Sequence, residues 1–252
     1  MNTIGIENNL DRARIRKLLA IGLFASVLTG VGDFLLGFAE ETAGVDFAAN
    51  VMSGAPYLTD GQMIAGSLLG MFGIFLEGLA CFGIYRLMAD AAPKYAHIYR
   101  AGIFGYIWLA PIGCHLNMGI LNLAYKYLLL ADAEIAVKAA GPLFYGFSLP
   151  VYILLAVFWL PMIFIQFKAF AKGFTPYPTY AKWFSVIVGS VPVLVISQLM
   201  PHTALAAGIG TMFLSFGNAF MFGGLLAALP DQEMFDAFSK ELAEKKLAET
   251  KE

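Results

Sequence analysis

The sequence predicts an all-α fold: a polytopic transmembrane helical bundle of six helices, N-in/C-in, with a short cytoplasmic C-terminal helix. Three observations lead there. Hydrophobic residues make up 59% of the 252 and charged ones only 13%, more apolar surface than a water-soluble chain of this length can hide. The apolar residues gather into runs that reach the roughly 20 positions a helix needs to cross a bilayer core. Cations collect at alternate connections between those runs, as the positive-inside rule requires of a multi-pass protein.

The first run, residues 15–39, follows Arg12, Arg14, Arg16 and Lys17. Gly37-Phe38-Ala39 has the small-x-small pattern of a signal-peptide cleavage site. The run is longer than a signal core and contains Asp33, so it reads as an uncleaved anchor. The connection that follows carries Glu40, Glu41, Asp46 and Asp60 with no Lys or Arg, which puts it outside. The second run is 61–88, and Arg86, Lys94 and Arg100 mark its inner connection. The third and fourth, 98–130 and 143–170, flank a connection holding only Lys126 and Lys138. Lys168, Lys172 and Lys182 lie at the next inner connection. The fifth and sixth, 183–200 and 203–229, meet at an outer turn with Pro201 and His202. Residues 1–230 thus read as a single membrane domain of the cell (plasma or inner) membrane. From 231 to 252 the chain turns polar: Asp231 can cap a last helix whose Phe235, Phe238 and Leu242 form a narrow apolar stripe, an amphipathic tail at the cytoplasmic surface.

Helices rather than barrel strands are expected, because no run alternates apolar and polar residues and open sheets leave unpaired edges in lipid. The net charge of −2 argues against nucleic acid as a partner. Cys81 and Cys114 both fall inside apolar runs, so no disulfide framework is indicated. His97, His115 and His202 fall at three different depths, unsuited to bis-histidine haem ligation, and no His and carboxylate spacing suggests zinc. GxSxG, GxxxxGK[ST] and GxGxxG are absent, and no run has a central lysine for a retinal Schiff base. No cofactor or metal is expected. Membrane lipids are the expected surroundings.

Functional candidates come from polar residues inside the apolar runs, since an ionisable group at the bilayer centre costs about 2.5–3.5 kcal/mol on insertion scales. Asp33 and Glu77 each end a pattern of small residues: Gly22, Ser26, Gly30, Asp33 and Gly66, Gly70, Gly73, Glu77. Small residues at helical spacing let helices approach closely, and such faces also offer surfaces for oligomerisation. His115 heads a stripe with Trp108, Pro111, Gly119, Asn122 and Lys126 at spacings of three, four and seven. Tyr145, Ser148, Tyr152, Trp159 and Gln166 line up on the fourth run, Ser190, Ser197 and Gln198 on the fifth, and Thr211, Ser215 and Asn218 on the sixth. A rise of about 1.5 Å per residue puts Glu77, His115 and Asn218 near the midplane, and Asp33, Asn122, Tyr145, Gln198 and His202 in the outer half. The inner halves are almost purely apolar, so a cavity is expected to open outward and end at Glu77 and His115.

The segments Gly32-Asp33-Phe34-Leu35, Leu76-Glu77-Gly78-Leu79 through Gly83-Ile84-Tyr85-Arg86, and Gly113-Cys114-His115-Leu116 resemble those of a bacterial multi-pass membrane protein family of unknown function. The resemblance implies a bundle of about six or seven helices and supplies no activity. Emopamil-binding-type sterol isomerases are a chemical analogy only: they too use membrane-embedded Glu and His, at a spacing not reproduced here.

Three functional readings follow. A carboxyl beside an imidazole, Glu77 with His115, is an acid–base or proton-relay pair. In the first reading it lies at the floor of a cavity that binds, and converts, a small apolar or amphipathic molecule, with Asp33, Trp108, Asn122, Tyr145, Tyr152, Gln198 and Asn218 as ligand-binding residues. In the second the same groups serve a proton-coupled small-molecule transporter. In the third Glu77 merely hydrogen-bonds His115 or Asn218, Asp33 caps or snorkels, and the chain is a scaffold or accessory subunit without chemistry. Whether the protein is an enzyme stays open.

Overall fold

A computed structural model describes residues 10–40 and 47–249, and among these every regular element is helical. The first-loop acids Glu41 and Asp46 and tail residues 250–252 lie outside the described residues. Helix α1 spans Arg12–Gly37, capped by Asp11, whose carboxylate accepts the Arg14 N–H at 3.1 Å. A short α2, Phe47–Met52, and a 3-10 turn at Ala55–Tyr57 lead into α3, Asp60–Ala89, which starts on a Thr59 cap. Pro93 opens α4, Pro93–Leu109, at the position where a missing N–H costs nothing.

The next two helices are each longer than expected and each interrupted. α4 runs through a π-helical segment, Ala110–Leu116, into α5, Asn117–Ala131. After the single residue Asp132, which caps the next turn, α6 (Ala133–Leu143) runs through a second π segment, Phe144–Ser148, into α7, Leu149–Ala171. Both wide segments sit beside prolines, Pro111 and Pro150, which cannot donate to the carbonyl four residues back. Gly173, at φ 69°, ends α7 in the left-handed conformation that glycine adopts without strain. A 3-10 turn at Thr179–Trp183 precedes α8 (Val186–Leu199), α9 (Ala204–Thr211), α10 (Phe213–Ala227) and α11 (Gln232–Glu249).

Four continuous helices are long and apolar enough to cross a membrane: 12–37, 60–89, 93–131 and 133–171. Two expected spans differ. The run 203–229 is broken at Met212, α9 and α10 meeting at 49°; taken together they make a fifth candidate. The run 183–200 starts in a 3-10 turn, and its 14-residue helix α8 reaches only about 21 Å, short of a hydrocarbon core of about 30 Å. Large apolar side chains such as Phe24, Phe72, Phe104, Phe164 and Leu199 stand exposed around the bundle, a surface unsuited to water.

Two apolar clusters mark the two ends. One joins Leu10 and Ile15, Leu87 and Met88, Ala96 and Tyr99, Ala169 and Phe170, Tyr177, Leu225 and Phe235. This is the end that carries the cation-rich connections. Here Arg12 Nε donates to the Pro230 carbonyl at 2.6 Å, and Tyr177 OH to the Leu225 carbonyl at 2.8 Å; burial pushes the Tyr177 phenol well above its ordinary pKa. At the other end α2 closes over the tip of the α5–α6 hairpin through Ala48, Met52, Tyr125, Ala136 and Phe144. Lys126 Nζ ties this cap to α3, reaching the Leu58 carbonyl at 2.7 Å and Asp60 at 2.8 Å.

Helix α11 is not a loose tail. Asp231 accepts the Met234 N–H at 2.9 Å, and Phe235 is fully buried in the first cluster, with Phe238 and Leu242 packed against it. Phe235→Ala is expected to lower stability by about 3 kcal/mol and to release the helix. Limited proteolysis checks this: cleavage after residue 230 should rise sharply, and unchanged protection would mean that Phe235 does not anchor it.

Candidate functional site

The site starts from the glycines of α1 and α3. A Cβ on Gly32 would meet the Gly70 nitrogen at 2.6 Å and the Gly66 carbonyl at 2.7 Å, so the two backbones touch. Gly73 meets Thr29 and the Ala25 carbonyl in the same seam. The small-residue patterns therefore pack against each other, and they do a second thing: the His115 ring occupies the place a Gly70 side chain would take.

His115 comes from the first π segment and is buried. Its Nε2 lies 3.1 Å from the Gly66 carbonyl. A carbonyl only accepts, so Nε2 carries a hydrogen. Its Nδ1 faces Asp33 Oδ1 at 3.3 Å. The other Asp33 oxygen accepts from the Ser215 hydroxyl of α10, while the Thr211 hydroxyl, beside the break at Met212, divides its one hydrogen between the Asp33 carbonyl and the Gly208 carbonyl of its own helix, each at 2.9 Å. Five helical segments thus meet at Asp33 and His115: α1, α3, the first π segment, α9 and α10.

Glu77, only 1% exposed, forms a second cluster. Its Oε2 accepts from Tyr106 OH at 2.7 Å and from Asn218 Nδ2 at 2.8 Å. Its Oε1 is buried with no hydrogen-bond partner. The hydroxyls of Ser26 and Thr29 lie beside Glu77, but each gives its single hydrogen to its own helix, to the Gly22 carbonyl at 2.8 Å and the Ala25 carbonyl at 3.0 Å.

Both clusters line one cavity of about 490 Å³, within the range of small-molecule sites. Asp33, Glu77, His115, Asn122, Tyr152 and Asn218 are on its wall, and Trp159 with Leu155 adds apolar surface. Asn122 Oδ1 is also buried without a partner. Glu77 and His115 share this cavity but make no bond to each other: the imidazole pairs with Asp33 instead.

Three expected ligand-binding residues lie outside it. Trp108 is 75% exposed and lines a separate apolar groove of about 300 Å³ with Phe72, Phe75 and Ile112. Tyr145 and Gln198 are exposed on the outside of the bundle. The π register explains the first two. In an unbroken α-helix Trp108 shares a face with His115, and Tyr145 with Tyr152, at a spacing of seven. A π segment lies within each interval, and its wider turn rotates the earlier residue out. Conversely Tyr106 and His115 are nine residues apart, about two and a half α-turns and so opposite faces, yet both reach the cavity. Tyr106 and Ser215 are the site residues that spacing missed as binding groups. Gln198 follows Ser197, which is buried, and one residue's rotation carries it outward.

Among the described residues no group of three or more His, Cys, Asp or Glu is placed to hold a metal ion. What the site offers is two carboxyls, an imidazole, two phenols and amides around a mostly apolar space, a set that can bind polar hydrogens and transfer protons.

A family model described as "Family of unknown function (DUF6796)" matches residues 1–232, and the chain belongs to that family. No curated protein and no solved structure matches it.

Proposed function

We propose that this DUF6796 member is a six-span protein of the cell membrane, N-in/C-in, whose cavity binds a small amphipathic molecule and presents Asp33, Glu77 and His115 for its acid–base conversion. The observation that carries the reading is the pairing of a space of about 490 Å³ with buried polar atoms on its wall that nothing in the fold satisfies. A purely structural cluster would be expected to close on itself, since an unpaired buried polar atom costs about 1–3 kcal/mol.

The topology rests on parity. Four long helices and the bent α9–α10 pair make five crossings, which would leave the chain ends on opposite sides. Arg12 and Pro230 are hydrogen-bonded to each other, which supports an even count, with α8 as the sixth. Lys168, Lys172 and Lys182 belong to that same end, each over an aromatic ring, which supports a cytoplasmic face with its aromatic belt. The check is labelling of single cysteines at exposed positions with a membrane-impermeant maleimide. Lys138→Cys and His202→Cys should react from outside and Lys172→Cys only after permeabilisation. Labelling of residues 172 and 202 from one side would reject the α8 crossing.

Between the cavity and the cationic end, Ile84, Leu87, Met88, Ile103 and Phe222 are fully buried and apolar. That plug favours a closed binding site over a path for transport. The direct test is native mass spectrometry of protein purified from its own membrane in mild detergent. A small molecule bound to the wild type and absent from Glu77→Gln supports the reading. Retention of the same molecules by both would overturn it.

A further inference from the structure

Resting on that binding reading, we infer that the ligand is a membrane-dissolved amphiphile with a primary-amine head, which enters sideways from the bilayer between α7 and α10. The head follows from which atoms lack partners. Glu77 Oε1, on a residue more than nine-tenths buried on the cavity wall, is an unpartnered hydrogen-bond acceptor, while the Asn122 amide beside the same space makes no hydrogen bond and can turn either its oxygen or its NH2 to a ligand. The hydroxyls beside Glu77 have already spent their hydrogens on helix carbonyls. A ligand that donates hydrogens supplies what Glu77 Oε1 lacks, and a carboxylate answered by an ammonium makes a stronger bond than one answered by a hydroxyl. An anionic head would add acceptors where donors are lacking.

The route follows from where the wall is open. α7 packs on α4 and on the turn at 179–183, while α10 packs on α8 and α1, and both helices put residues on the cavity wall. Val51 on α2 lines the cavity and is 36% exposed at the cap; Tyr152 on α7 and Leu214 on α10 line it too, at 36% and 37%. The rim between them is apolar, built from Leu155, Ala156, Phe213 and Leu214. It opens onto the same lipid-type surface as Ile153 and Phe216, which are exposed beside it. Chains dissolved in the bilayer cross such a rim without meeting water.

Trp159, on the cavity wall, is the reporter. In a Trp108→Phe, Trp183→Phe background reconstituted in phosphatidylcholine nanodiscs, quenching of Trp159 is followed as 12-bromododecylamine, 12-bromododecanol or 12-bromododecanoate is added. The amine should saturate at about a tenfold lower mole fraction than the alcohol, the margin of a charge-assisted over a neutral bond, and the carboxylate should not saturate. Glu77→Gln should remove the amine's advantage. Ala156→Phe, which fills the rim, should slow loading about tenfold or more, while Val51→Phe on α2 should not. If all three probes saturate alike, the amine head is wrong and the cavity reading stands. If loading slows with Val51→Phe and not with Ala156→Phe, the sideways route is wrong. If none of the three saturates, the binding reading itself fails.

Discussion

Gly32→Ala is expected to lower stability by about 3 kcal/mol, the upper range for overpacking a well-fitted interface, and to abolish ligand retention with it. The added carbon would press on the Gly70 nitrogen, the Gly66 carbonyl and Gly70 Cα. All three are backbone atoms inside a helix, so no side chain can swing aside; the helices must separate. The Gly66 carbonyl then moves away from His115 Nε2, and the imidazole loses the contact that fixes its orientation toward Asp33. Gly223→Ala is the control, because its new carbon would sit at an ordinary 3.5 Å from Leu23 Cδ1. Thermal denaturation in detergent separates the two. Equal melting temperatures for both variants would mean that the α1–α3 seam has slack which the coordinates do not suggest.

Glu77 should respond differently to two substitutions of similar size. Glu77→Leu strands the Tyr106 hydroxyl and the Asn218 amide, both of which donate to Oε2, and is expected to cost about 3 kcal/mol of stability. Glu77→Gln keeps an acceptor for them, so most of the stability should remain, within about 1 kcal/mol. Ligand retention should nevertheless be lost in both variants. Melting curves and native mass spectra of the same preparations read the two effects apart. Should Glu77→Gln, together with His115→Ala, lose stability while keeping ligand, turnover and flux, the cluster is packing and nothing more.

The sequence makes the helices legible because length and hydropathy alone define them. It also makes Asp33, Glu77 and His115 legible, since a buried charge is conspicuous in any apolar run. Their partners are not. Glu77 and His115 were matched by depth, but depth leaves rotation free, and rotation gives His115 to Asp33 and Glu77 to Tyr106 and Asn218. The two π segments decide those rotations. Pro111 and Pro150 hint at them, yet a proline announces a missing hydrogen bond without saying whether the helix kinks, widens or carries on. The break at Met212 is equally hidden, because no proline lies within 204–227 to mark it. The structure adds Thr211 reaching across to the Asp33 carbonyl, a contact 178 residues apart in sequence.

The hydrogen on His115 Nε2 has an electrical consequence. With that nitrogen committed to Gly66, a bare Nδ1 and a bare carboxylate oxygen 3.3 Å apart would set lone pair against lone pair, a repulsion that one proton held by either group removes. If the imidazole owns it, a plus faces a minus; if the carboxyl owns it, both groups are neutral. The sum is zero in either case. With one proton held in this way Asp33 and His115 cancel, and whether the chamber bears a negative charge rests on the other carboxyl on its wall, Glu77.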